Sequence, residues 1–298
     1  VDKRHLKGIV VPLVTPFRED ETVDEDALRA LVRHLIECGV HGLFPIGSTG
    51  EFYAVTPDER RRILRLVVDE AGGCVPVYAG AGAVSTLECL AHARMAEEAG
   101  ADCLVVVTPF YITPTIDELY EHYATIARAT SLAVIPYNNP SRTGGVNMTP
   151  DLMARLAGIP NIMGIKDSSG NQAQTMEYVQ KCGADFAVFQ GRDDLIYPSL
   201  VTGAVGGVAC VANVAPRAVV EVYDAYVRGD TVRALAVQRT ASVLRQALAL
   251  GTFPVVIKEA MAMVGLPGGH VRRPVRPLSP EKRVQLRAIL RSIDLLDR

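Results

Sequence analysis

Two hydrophobic rhythms take turns along this chain. Short, nearly unbroken apolar runs occur at Gly8–Val14, Gly42–Ile46, Val75–Ala79, Cys103–Val107, Ala133–Tyr137, Ile162–Ile165, Ala187–Gln190 and Gly206–Cys210. Runs of that length and continuity predict strands covered on both faces. Between them the apolar positions change to a 3.6-residue period. Asp24–Cys38 carries apolar residues at 27, 28, 31, 32, 35 and 36, one face of a helix. Arg60–Ala71, Leu87–Ala99, Asp117–Ala129, Pro150–Ala157, Thr175–Cys182, Leu195–Thr202 and Ala218–Val227 follow suit.

Helix signals fit this division. Thr22–Glu25, Thr56–Glu59, Ser85–Glu88 and Thr115–Glu118 match the capping box, in which a hydroxyl and a glutamate three residues on satisfy each other's backbone amides. Pro57, Pro150 and Pro280 stand where a first helical residue belongs. Gly39, Gly72 and Gly100 stand just past helix ends. Eight strand–helix units predict an α/β fold, a closed (β/α)8 TIM barrel, with a doubly wound open sheet as the alternative. Three further helical patterns follow, Thr231–Leu250, Val255–Val264 and Pro280–Leu295. The expected division is therefore a barrel over 1–228 and a helical region over 229–298 packed on it.

Composition narrows the partners. The 298 residues are 49% hydrophobic and 21% charged, enough to bury a large core. A formal charge of −2 with no basic cluster argues against nucleic acid. The longest apolar runs, such as 103–107 and 205–211, fall far short of a membrane span, and no signal-like apolar region opens the chain. Six cysteines without a C-x-x-C pair predict reduced thiols and a cytoplasmic setting. Six histidines without ligand spacing leave no expectation of a metal.

In a barrel, chemistry collects where strands end. One of only six lysines, Lys166, closes the apolar run Ile162–Ile165, at the mouth. Desolvation there would lower its pKa and free an amine to attack a carbonyl; the structural alternative is a buried lysine paired with Asp167 or another acid. Lys258 lies in a helical pattern from which its stem can snorkel to water. Tyr137 ends the preceding strand, so its phenol can face the same mouth and carry protons. Ser48 and Thr49 occupy a glycine-flanked turn whose amides form a ready anion nest. Arg142, in the loop after Tyr137, could grip a second carboxylate. Gly80–Ser85 imitates a dinucleotide-binding G-x-G-x-x-G, but Ser85 in the third glycine position is accounted for by its capping box.

Taken together, "GSTGE" (47–51), "TPFY" (108–111), "YNNPSRTG" (137–144), "GIKDSSG" (164–170) and "VANVAP" (211–216) resemble, in order and spacing, the dihydrodipicolinate synthase / N-acetylneuraminate lyase family of pyruvate-type class I aldolases. The likeness runs from about Gly8 to the C-terminal helices. It implies a (β/α)8 barrel with C-terminal helices, a homotetramer built from tight dimers, and no cofactor. It implies that Lys166 forms a Schiff base with pyruvate or another 2-oxo acid and that Tyr137 shuttles protons. Ser48 would link that relay, and Tyr111 would reach in from a partner subunit. Thr49 would bind the carboxylate, Gly191 and Val208 would line the pyruvate pocket, and Arg142 would hold the carboxylate of the second substrate.

The leading reaction implied is synthase-like condensation of pyruvate with aspartate semialdehyde. Ser48-Thr49, where synthases usually carry two threonines, is the form commoner among lyases and sugar-acid members, so 4-hydroxy-2-oxoglutarate, 2-keto-3-deoxy sugar acids and N-acetylneuraminate stay open as substrates; the same imine could also expel a β-leaving group, as in a dehydratase or deaminase. A silent carboxylate-binding barrel is the reading from a different class.

Overall fold

In the computed structural model of the chain, residues 6–297 are described; Val1–His5, including Lys3, and Arg298 lie outside the described residues. Eight parallel strands form one sheet: β1 (Gly8–Pro12), β2 (Gly42–Phe44), β3 (Tyr78–Gly80), β4 (Cys103–Val107), β5 (Ala133–Asn138), β6 (Gly164–Asp167), β7 (Ala187–Gln190) and β8 (Gly206–Val208). Their order, β2-β1-β8-β7-β6-β5-β4-β3, brings the first strand beside the last. A parallel bridge between Leu43 and Val77 joins the remaining seam. The result is the expected TIM barrel.

Side-chain alternation sorts each strand into two cores. Along β4, Cys103, Val105 and Val107 belong to the barrel interior, together with Val10, Phe44 and Phe189. Leu104 and Val106 face outward into the layer beneath the helices. Those helices are α1 (Glu25–Glu37), α2 (Pro57–Ala71), α3 (Thr86–Ala99), α4 (Ile116–Arg128), α5 (Pro150–Leu156), α6 (Gln172–Lys181), α7 (Ile196–Val201) and α8 (Pro216–Val227). After them come α9 (Thr231–Ala247), α10 (Val255–Met263) and α11 (Pro280–Ser292). α9 packs against α8 and against the 3-10 turn Asp193–Leu195 that follows β7. No single helix among the described residues is long and apolar enough to cross a membrane.

Several local expectations change. Thr56 and Thr115 form complete capping boxes with Glu59 and Glu118, but α1 begins later than the Thr22–Glu25 pattern suggests. Asp24 caps the Ala27 amide at 3.1 Å, and the Thr22 hydroxyl turns back to Asp20 at 2.6 Å. A carboxylate beside the helix start displaces the more distant hydroxyl. β2 stops at Phe44 because Pro45 has no amide to continue the ladder. Gly80 and Gly82 serve packing: a Cβ on Gly80 would lie 1.9 Å from the Ile46 carbonyl oxygen, and one on Gly82 would lie 2.5 Å from Val107. Asn213 of "VANVAP" ties the end of the barrel to β1, accepting from the Val14 amide and donating to the carbonyls of Pro12 and Cys210.

Candidate active site

The parity of β6 decides the orientation of Lys166. Ile165 packs outward and Lys166 therefore faces inward, while Asp167 turns out again toward α6. Asp167 accepts from Asn138 at 3.0 Å, Ser169 at 2.9 Å and Thr175 at 2.8 Å. The pairing of Lys166 with Asp167 is thereby excluded, and no carboxylate lies within ion-pair distance of Lys166 among the described residues. Lys166 is 5% exposed. Its Nζ sits 3.8 Å from the centroid of Tyr137 and 4.9 Å from that of Phe44, so aromatic faces replace the missing anion.

Tyr137 is the register partner of Lys166 across β5 and β6. Its hydroxyl accepts from Asn139 Nδ2 at 2.8 Å, and the Ser168 and Ser48 hydroxyls stand near it. Burial pushes the phenol up, but the Lys166 charge, together with the polar side chains of Ser168, Ser48 and Asn139, outweighs it and holds the phenol below its ordinary value. An amine with no counter-ion among the described residues, beside a phenol held below its ordinary value, is an arrangement suited to addition and proton transfer at a carbonyl.

The Ser48-Thr49 turn stands at the same mouth. The amides of Gly50 and Glu51 close it onto the carbonyls of Gly47 and Ser48. The amides of Ser48 and Thr49 have no protein acceptor among the described residues, which leaves them for an anion. Glu51 holds the turn from below at a φ of 54°, in the left-handed region. Its carboxylate is buried, paired with Lys258 Nζ at 2.5 Å and accepting from the Arg272 amide at 3.1 Å. Lys258 also donates to the carbonyls of Thr15 and His270. Lys258 therefore does not snorkel. It is 2% exposed, because a buried carboxylate and two carbonyls replace its water.

A cavity of about 620 Å³ opens above Lys166. Ser48, Thr49, Tyr137, Arg142, Gly191 and Val208 all line it, so the structure brings these six sequence-derived residues together with Lys166. Arg142 lies on the 3-10 turn Pro140–Arg142 with its guanidinium 4.7 Å from the Phe253 ring. Gly191 is required by close approach, since a Cβ there would lie 2.0 Å from Ser168 Oγ. Tyr111 does not line the cavity. It is 96% exposed at a φ of 73°.

Sequence reasoning missed Asn139 and Ser168, although both lie inside motifs it singled out. It also missed Arg192, paired with Asp194 at 2.8 Å, and Arg245, paired with the buried Asp193 at 3.2 Å. Arg192 was within reach, as a charged residue just after a strand. Arg245 was not, because nothing in a helical pattern marks which residue folds back over a barrel. Among the described residues no cluster of three or more His, Cys, Asp or Glu side chains could hold a metal.

Comparison with known proteins agrees in fold and extent. The model of the dihydrodipicolinate synthetase family matches residues 5–293. The 4-hydroxy-tetrahydrodipicolinate synthase of Methanothrix thermoacetophila is 39% identical over 286 residues, 96% of each chain. An uncharacterized DapA-like lyase of Halobacterium salinarum is 41% identical over 295 residues, 99% of this chain and 96% of the relative. The dihydrodipicolinate synthase from Aquifex aeolicus superposes with a TM-score of 0.93 at 35% identity, covering 97% of this chain and 98% of that one. A prophage protein of the dihydrodipicolinic acid synthase family from E. coli K12, solved in complex with pyruvate, gives a TM-score of 0.94 at 33% identity, covering 97% and 99%.

Proposed function

Because the chain belongs to the dihydrodipicolinate synthetase family and is an aldolase-type lyase of that kind, we propose that it condenses pyruvate with aspartate semialdehyde through a Schiff base on Lys166. The observation that carries this reading is the buried Lys166 amine, without an anionic partner among the described residues and stacked on Tyr137. The relatives named as synthases support the choice of acceptor.

The residues divide the work as follows. The carboxylate of pyruvate lies on the Ser48 and Thr49 amides and hydroxyls, which fixes the keto carbon against Lys166. The amine adds to that carbon and water leaves, with Tyr137 passing the protons. The iminium then draws electrons from the adjacent methyl group. Loss of a methyl proton gives an enamine, whose carbon bonds to the aldehyde carbon while the aldehyde oxygen takes up a proton. Water releases the product and restores the amine. Gly191 and Val208 shape the pyruvate end, and Arg142 faces the far carboxylate of the acceptor. The same reading treats residues 229–298 as a helical region closing over the barrel of 1–228. It places the enzyme in the cytoplasm as a homotetramer in which exposed Tyr111 completes the proton relay of a neighbouring subunit. No cofactor takes part.

Incubation with pyruvate, reduction with borohydride and intact mass measurement test the central step. A stable adduct that maps to Lys166 and disappears in Lys166→Ala is expected. An unmodified mass, or an adduct that survives the substitution, rejects the mechanism.

A further inference from the structure

Three guanidinium groups line the cavity, and their donors are engaged to different degrees. Arg192 places Nε and Nη2 on the two carboxylate oxygens of Asp194, at 3.1 and 2.8 Å, so its fork is closed. Arg142 stacks on Phe253 and pairs with no carboxylate among the described residues. Arg245, reaching over from α9, differs from both. Its Nη1 donates to Asp193 Oδ2 at 3.2 Å and contacts Cys210 Sγ at 3.8 Å. Its Nε and Nη2 have no protein acceptor among the described residues.

The anchor beneath Arg245 is rigid. Asp193 is fully buried. Its Oδ1 accepts from the Val211 amide at 3.0 Å, and its Oδ2 accepts from the Cys210 thiol at 3.3 Å. Gln238 of α9 donates to the Asp193 carbonyl at 2.8 Å. A carboxylate fixed at this many points pre-orients the planar guanidinium above it, and half the fork of this cavity-lining residue stays unengaged among the described residues. The lining also has an excess of positive charge. Among the described residues, Lys166, Arg142, Arg192 and Arg245 face only Asp194, with Asp193 behind the wall. Pyruvate, seated on the Ser48-Thr49 turn, answers part of that excess with one carboxylate. The rest calls for a second anion at the mouth.

We propose that Arg245 is a specificity-determining residue that, with Arg142, grips an acid group at the far end of the acceptor. The proposal rests on the Schiff-base reading above and deepens it. The acceptor class becomes aldehydes that carry a carboxylate remote from the carbonyl, held between a stacked and an ion-anchored guanidinium.

The test compares two acceptors of equal length, aspartate semialdehyde and an uncharged aliphatic aldehyde, each with saturating pyruvate. Arg245→Gln leaves Asp193 buried without its cation and risks unfolding, so Asp193→Asn/Arg245→Gln is measured beside it. The expected result is a rise in KM for the acidic acceptor on the order of tenfold or more. The uncharged acceptor and the KM for pyruvate should change by less than about threefold, since neither uses this group. Arg245→Lys should recover part of the loss. Equal losses on both acceptors, or no loss on the acidic one, overturn the proposal. Borohydride trapping of pyruvate on the same proteins separates the two levels. An adduct retained alongside equal losses rejects the role of Arg245 alone. Absence of an adduct in the unsubstituted chain rejects the Schiff-base reading, and this proposal falls with it.

Discussion

Lys166 and Asp167 are chain neighbours with opposite fates. One faces the barrel interior and the other is hydrogen-bonded on its outside. The two-residue period of a strand forces that separation, and among the described residues it leaves the amine without a counter-ion. Tyr137 depends on this. Its phenol is driven up by burial and brought below its ordinary value chiefly by the Lys166 charge. Lys166→Met should therefore raise the phenol pKa, because the burial remains and the main opposing charge is gone. Ultraviolet difference titration checks the sign, and an unchanged or lowered value would show that the ammonium does not set it. Tyr137→Phe should cut kcat on the order of a hundredfold or more while leaving pyruvate binding nearly intact. Steady-state kinetics would show this, and a change in KM alone would contradict a role in proton transfer.

The turn that carries Ser48 and Thr49 is held from below by elements distant in sequence. Glu51, in left-handed backbone, is joined to Lys258 of α10 and to the Arg272 amide. Lys258→Met leaves a buried carboxylate without its partner, at a cost of roughly 3–5 kcal/mol. Adding Glu51→Gln should return most of that stability, since two neutral side chains replace the pair. The turn would still lack its charged tether, so the double variant should keep a raised KM for pyruvate after its Tm has recovered. Thermal melts and kinetics on the same samples decide this. A KM that returns together with the Tm would make the pair purely structural. Of this arrangement only the turn was legible in the sequence. The pattern around Lys258 looked like an ordinary helix, because amphipathic periodicity reports which face is buried and not what waits on the other side.

Acid should destabilise the fold in two stages. Burial pushes His92, with Arg60 adding to the effect, and His122 down to about 4. The unfolded chain protonates its histidines first, near 6.5, so stability falls between about 6.5 and 4 as those protons favour unfolding. Glu59 behaves in the opposite chemical sense with the same outcome. The Arg272 hydrogen bond outweighs burial and holds its carboxyl at about 2, so its stabilisation is present above about 4.5 and lost as pH falls toward 2. Each group accounts for roughly 3 kcal/mol at most. Urea unfolding midpoints followed from pH 7 to 2 should fall through both windows, and His92→Gln/His122→Gln should shrink the first, to which His41 also contributes, and spare the second. A midpoint that stays level from pH 6.5 to 4 would contradict buried neutral histidines.

The repeating unit, the preference for a barrel and the strand ends where chemistry gathers can all be read from the amino-acid order alone. Those depend on local periodicity, caps and turns, each written within a dozen residues. The sequence also marked Lys166, Tyr137, the Ser48-Thr49 turn and Arg142, since position after a strand is a local property. It took the folded chain to separate Lys166 from every acid among the described residues, to bury Lys258 under the active turn, and to carry Arg245 and Phe253 across the mouth from the C-terminal region. These contacts join residues dozens to hundreds of positions apart. No short-range pattern encodes them, and closing the barrel and folding the last helices back across it bring them into being.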